Sequence, residues 1–201
     1  MNIESIINNV DFDKVVNLPE NNAKIISNIQ GLLQDLPCLN ILHNSKLLDE
    51  TIATSKQFAK NKSSFLIFGT GGSNLGSKAL INILQSSEKI DMYFFDNIDP
   101  IQFKNVIEKI DLFNAGIIII SKSGSTPETL SQFSSILEIF DQKNCLDILY
   151  QRCLVITEDK KSPLADIAHK NNCKILNHEK NIGGRFSIFS NVGMVPAIIA
   201  G

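Results

Sequence analysis

Phe65-Leu66-Ile67-Phe68-Gly69-Thr70-Gly71-Gly72-Ser73-Asn74 is an apolar run that breaks into a loop of glycines and hydroxyls. A short, continuous apolar run reads as a strand buried on both faces, and so as part of a parallel sheet with helical crossovers. The device returns at Ile117-Ile118-Ile119-Ile120, followed by Ser121-Lys122-Ser123-Gly124-Ser125-Thr126. Both loops run into stretches with helical spacing. Exposed backbone N–H groups, hydroxyl donors and the positive end of a helix dipole together make a seat for a phosphate. One such loop is a weak signal, because glycines also serve a tight strand-to-helix turn. Two with the same small hydroxylated residues suggest one anion gripped from two sides.

Working outward, further apolar runs at 92–95, 154–156 and, more weakly, 174–176 bring the strands at 65–68 and 117–120 to five. Helices are expected between them at 74–85, 101–110, 127–140 and 163–170. Thr126-Pro127 and Ser162-Pro163 each place a hydroxyl at a helix cap and a proline at the first helical position. Upstream, Ile25, Ile26, Ile29, Leu32 and Leu33 mark one face of a helix that Pro37 ends, and another helix is expected over 45–60. The fold class is therefore α/β: a doubly wound parallel five-stranded sheet preceded by an N-terminal helical segment, for which the common flavodoxin-like order 2-1-3-4-5 is expected. In that order strands one and three are neighbours at the switch point, where ligands bind beyond the carboxyl ends. Topology thus predicts that Ser73 and the loop from Ser121 to Thr126 surround the same anion.

Composition sets mild limits. The 201 residues suit one domain, or one and a half, and 43% hydrophobic with 20% charged residues is ordinary for a soluble globular chain. A net charge of −2 offers no electrostatic case for nucleic acid or an anionic membrane. No apolar run reaches the length of a membrane span, and Met1-Asn2-Ile3-Glu4 lacks a signal-peptide pattern, so a cytoplasmic location is expected. Cys38, Cys145, Cys153 and Cys173 are scattered and read as reduced core thiols. His43, His169 and His178 have no metal-ligand spacing, and His169 and His178 read as surface residues.

Two nucleotide motifs come close and fail. Residues 71–78 read GGSNLGSK, but Ser77 precedes Lys78, whereas a P-loop needs the lysine before the hydroxyl. Gly69 and Gly71 begin a dinucleotide fingerprint whose third glycine is replaced by Asn74, although Asp96 stands about where a ribose contact belongs.

The segments GTGGSNLG (69–76), SKSGSTPET (121–129) and GGRFS (183–187), with FDNIDP (95–100), together resemble the glucose-6-phosphate isomerase family over roughly residues 64 to 201. The first two alone would indicate only a sugar-isomerase (SIS) domain. GGRFS, followed by a helix rich in small apolar residues at 192–200, narrows the resemblance, and Phe186 with the SKSG form resembles the bacterial branch. The resemblance implies an aldose–ketose isomerase of glycolysis and gluconeogenesis, interconverting glucose 6-phosphate and fructose 6-phosphate through a cis-enediolate without metal or redox cofactor. It implies that Gly72, Ser73, Ser121, Ser123 and Thr126 hold the sugar phosphate. Lys122, Gly124 and Ser125 complete the loop by backbone contact, with Lys122 as a phosphate cation the lesser alternative. Gly184 and Arg185 match the family's GGR, whose arginine stabilises enediolate charge. Glu128 matches a family glutamate that is a substrate contact or a first-turn helix acid.

The sequence also departs from the family. The catalytic glutamate, ring-opening histidine and C-terminal lysine belong to motifs absent from these 201 residues. The chain is therefore read as the N-terminal half: a helical segment (1–60), a first SIS domain (61–180), and the start of a connection (181–201) to a second. Alone it is expected to bind sugar phosphate weakly and not to isomerise it. The family implies a homodimer for the full-length protein. The alternatives are a phosphosugar-binding SIS module, which would need no transition-state arginine, or another phosphosugar isomerase.

Overall fold

The computed structural model describes residues 31, 35–84 and 90–201. The helical face at Ile25, Ile26, Ile29, Leu32 and Leu33 lies outside the described residues. The apolar runs form one parallel sheet of β1 (Ser64–Phe68), β2 (Asp91–Phe95), β3 (Ala115–Ile120), β4 (Cys153–Thr157) and β5 (Lys174–Asn177). The strand order is β2-β1-β3-β4-β5, the expected 2-1-3-4-5. β1, β3 and β4 are buried along their whole length, which explains why they read as unbroken apolar runs. β2 and β5 lie at the edges and are partly exposed, hence the fainter signal at 174–176.

The helices are α1 (Pro37–Asn40), α2 (Ser45–Ala59), α3 (Gly72–Leu84), α4 (Pro100–Ile107), α5 (Pro127–Asp141), α6 (Leu146–Gln151), α7 (Pro163–Lys170) and α8 (Asn191–Ala200). α4 starts at Pro100 because Asp99 caps it, accepting from the N–H groups of Ile101 and Gln102 at 2.9 and 3.1 Å. α6 is short and carries no periodic signal of its own.

Side chains alternate across the strands to build two cores. On one face Leu66, Phe68, Ile117, Ile119 and Val155 pack with Phe133, Ile136 and Phe140 of α5, Leu149 of α6 and Leu164 of α7. On the other, Phe65, Ile67, Ile118, Ile120, Leu154 and Ile156 pack with Phe58 of α2 and Val192, Val195 and Ile199 of α8. Each such buried side chain contributes about 1.5–3 kcal/mol relative to exposure. A polar link adds to the second face: Thr51 donates to Asn191 Oδ1 (2.7 Å), and Asn191 Nδ2 donates to the Asn177 carbonyl (2.8 Å), joining α2, α8 and β5. All four cysteines are free, but only Cys153 and Cys173 are core thiols. Cys38 and Cys145 are half-buried. Among the described residues no helix is long and apolar enough to cross a membrane.

Candidate phosphate site at the switch point

The loop after β1 turns through Gly71, whose φ of +53° is the left-handed conformation glycine adopts freely. α3 then begins at Gly72, two residues before the expected start. Asn74 is fully buried, and its Nδ2 donates to the carbonyls of Gly69 and Phe95, stapling this loop to the end of β2. The residue that breaks the dinucleotide fingerprint is thus a structural staple. Lys78 Nζ lies 2.6 Å from Asp96 Oδ2, so the two residues that invite nucleotide readings are engaged with each other. Ser73 is half-exposed, and its hydroxyl bonds no other described residue.

The loop after β3 gathers its hydroxyls. Ser121 Oγ is 2.8 Å from Thr126 Oγ1 and 3.5 Å from Ser123 Oγ, and Ser123 Oγ is 3.4 Å from Thr126 Oγ1. The Gly124 N–H donates to Ser121 Oγ and the Ser125 N–H to Ser123 Oγ, which holds the triangle in place. Gly124 is left-handed (φ +66°), and its carbonyl accepts from the Leu164 N–H of α7. Thr126 occupies the cap position of α5 but makes no capping bond, contrary to the sequence reading, because its hydroxyl turns into the triangle. The N–H groups opening this helix of 15 residues therefore lack a side-chain cap beside three rotatable hydroxyls. That is the donor set an anion needs. Ser125 and Glu128 stand exposed at the rim.

The loops are neighbours. β1 pairs with β3, Phe68 opposite Ile119, and a Cβ on Gly69 would stand 3.3 Å from the Ile120 carbonyl oxygen. A third segment, the strap 178–187, crosses them. Gly72 has no room for a side chain because the Gly184 carbonyl lies against it, with the Arg185 nitrogen 2.8 Å from where a Cβ would be. Lys122 does not point its ammonium at the triangle. It donates to the carbonyls of Lys180 (2.7 Å) and Ile182 (2.8 Å) on the strap. Arg185 is exposed, its guanidinium 5.9 Å from the Phe186 ring centroid, and it has no ion pair among the described residues. A mostly apolar cleft of about 140 Å³ between Phe95, Asp99, Phe103 and Gln132 lies beside the end of β2.

His178 corrects another expectation. It is not a surface residue: it is fully buried at the end of β5, its N–H donating to the Thr157 carbonyl. Its backbone continues a strand that pairs with β4, so the residue is carried into the interior whatever its polarity. Its Nε2 and the buried Thr157 hydroxyl have no hydrogen-bond partner among the described residues. Thr157 and Ser162 floor the second loop, since a Cβ on Gly124 would meet both. Their place at the exit of β4, next to β3, is the sequence signal that points to them. Burial holds the His178 imidazole below its ordinary value of 6.5, with the nearby Lys122 ammonium adding to the effect. The unfolded chain therefore takes up a proton where the folded chain does not, and stability falls as pH drops below about 6.5. Urea unfolding at about pH 7.5 and about pH 5.5 is expected to show a smaller acid loss for His178→Gln than for the native chain, at most about 1.4 kcal/mol per pH unit. Identical losses would mean the imidazole titrates alike in both states.

The strand order and the paired loops at its switch point define a doubly wound domain of the sugar-isomerase type. The chain belongs to the phosphoglucose isomerase family, whose model matches residues 38–201. It is 35% identical over 160 residues to the glucose-6-phosphate isomerase of Campylobacter jejuni, covering 77% of this chain and 38% of that protein. It is 36% identical over 131 residues to that of Methanocaldococcus jannaschii, covering 65% and 31%. Its fold is similar to the crystal structure of a glucose-6-phosphate isomerase from Chlamydia trachomatis (TM-score 0.68, 27% identity), over 79% of this chain and 30% of that one. The chain thus spans about a third of the length of these relatives.

Proposed function

We propose that this chain supplies the phosphate seat and the charge-stabilising arginine of a glucose-6-phosphate isomerase, a glycolytic activity at home in the cytoplasm. The observation that carries the reading is the triangle of Ser121, Ser123 and Thr126 hydroxyls at the uncapped start of α5, with the Arg185 strap docked on Gly72. The phosphate of a hexose 6-phosphate would take the hydroxyls of Ser73, Ser121, Ser123 and Thr126 and the first N–H groups of α5. That end of the sugar is then fixed, and the reacting carbons reach toward the strap. Isomerisation moves a proton between C2 and C1 through an enediolate whose oxygens gain negative charge. A guanidinium stays charged at any working pH and offers fixed donors for that charge. The base and the ring-opening group come, in this reading, from outside these residues, the strap leading on toward a second SIS domain. The exposed Leu75, Ile83 and Leu84 of α3 offer apolar surface suited to that domain or to the second subunit of a homodimer.

Calorimetric titration tests the seat. Ser121→Ala and Thr126→Ala should each weaken binding of a hexose 6-phosphate by about 1–3 kcal/mol, since each removes a donor to a charged ligand. The same preparation should show no aldose–ketose conversion by itself. Unchanged affinity in both variants removes the proposed seat.

A further inference from the structure

Loop 121–126 and strap 178–187 are joined by one side chain. Lys122 has its backbone in the hydroxyl loop and its ammonium on the carbonyls of Lys180 and Ile182, residues 58 and 60 positions away. The strap is pinned at other points as well: His178 by Thr157, Gly184 by contact with Gly72 and by the Ser187 hydroxyl at 2.7 Å. Between His178 and Gly184, the Lys122 ammonium is the side-chain donor that fixes the carbonyls leading into Gly183-Gly184-Arg185. Ile182 beside it is buried, and of the two bonds the one to the Ile182 carbonyl is part-buried while the one to Lys180 is exposed.

We propose that Lys122 is a positioning residue: its ammonium clasps the strap so that Arg185 stands at a fixed distance from the phosphate loop. The inference rests on the phosphate reading above and adds how the two ends of the ligand site are held in register. A lysine suits the task because a compact ammonium with three donors can serve two carbonyls of one chain segment at once. The clasp also explains why a cation in an anion-binding loop is turned away from the triangle. Its hydrogen bonds go to the backbone that leads into Arg185.

The test uses the full 201-residue chain and two probes, inorganic phosphate and a hexonate 6-phosphate, whose C1 carboxylate would meet Arg185 in the phosphate reading above. Lys122→Met should leave inorganic phosphate affinity within about twofold and weaken the hexonate phosphate about tenfold, with Arg185→Met causing a similar loss and the double variant little more than either. Lys122→Arg, which keeps a multi-donor cation, should restore most of the hexonate affinity. Amide exchange over 180–187 should accelerate in Lys122→Met while the strands stay protected, which shows that the variant remains folded. Equal loss of both probes in Lys122→Met would make the lysine a phosphate cation and overturn the clasp. Additive losses in the double variant would overturn it too. A native chain that binds neither probe overturns the phosphate reading itself, whatever the exchange data show.

Discussion

Gly124→Ala is expected to cost about 3–6 kcal/mol of folding stability and to abolish phosphate binding. Three effects add. The left-handed backbone at Gly124 (φ +66°) costs an alanine about 1–2 kcal/mol. The new Cβ would overlap the Ser162 hydroxyl and stand 3.1 Å from Thr157 Oγ1, a crowding worth about 1–3 kcal/mol. Ser162 cannot yield freely, because its Oγ caps α7 at the Ala165 N–H (3.3 Å), and losing a cap costs about 1 kcal/mol. Gly71→Ala separates the terms. Its φ is +53°, yet a Cβ there meets nothing within 4 Å, so only the conformational cost of about 1–2 kcal/mol should appear. Urea unfolding of both variants checks the difference. Equal losses would mean that Ser162 moves aside without penalty.

Gly72→Ala should act on the ligand more than on the fold. Gly72 lies in the first turn of α3, where alanine gains about 0.5–1 kcal/mol of helix propensity over glycine. Against that, its Cβ would press into the Gly184 carbonyl and the Arg185 nitrogen, so the strap must lift. The expected outcome is a stability loss below about 2 kcal/mol with affinity for a hexose 6-phosphate reduced at least about tenfold. Gly184→Ala is the control from the other side of the contact: a Cβ there meets nothing within 4 Å and should leave stability unchanged. If Gly72→Ala bound the sugar phosphate like the native chain, docking of the strap on the first loop would have no part in binding.

The central sheet and both loops are legible in the sequence because their signals are local. Ile117 to Ile120 are consecutive and all buried, so burial on both faces of β3 is written into the run itself. The edge strand β5 is fainter because half its residues face solvent and need not be apolar. His178 escapes a local reading since its burial follows from β5 pairing with β4, which leaves no mark on the pattern around a polar residue. Thr126 reads as a cap from its place before Pro127. The competing partner, Ser121, lies within five residues, but only the left-handed turn at Gly124 swings the two hydroxyls together.

By itself the sequence determined the five strands and the two hydroxyl loops that follow β1 and β3, because apolar runs and turn chemistry act over a few residues; the order 2-1-3-4-5 was the common one for such sheets, and the structure has it. Tertiary structure alone decided that Gly184 lies on Gly72, that Lys122 reaches the strap and that His178 is buried. Those contacts join residues far apart in the chain, and their geometry is set by how helices and strap pack on the sheet, which no local pattern encodes.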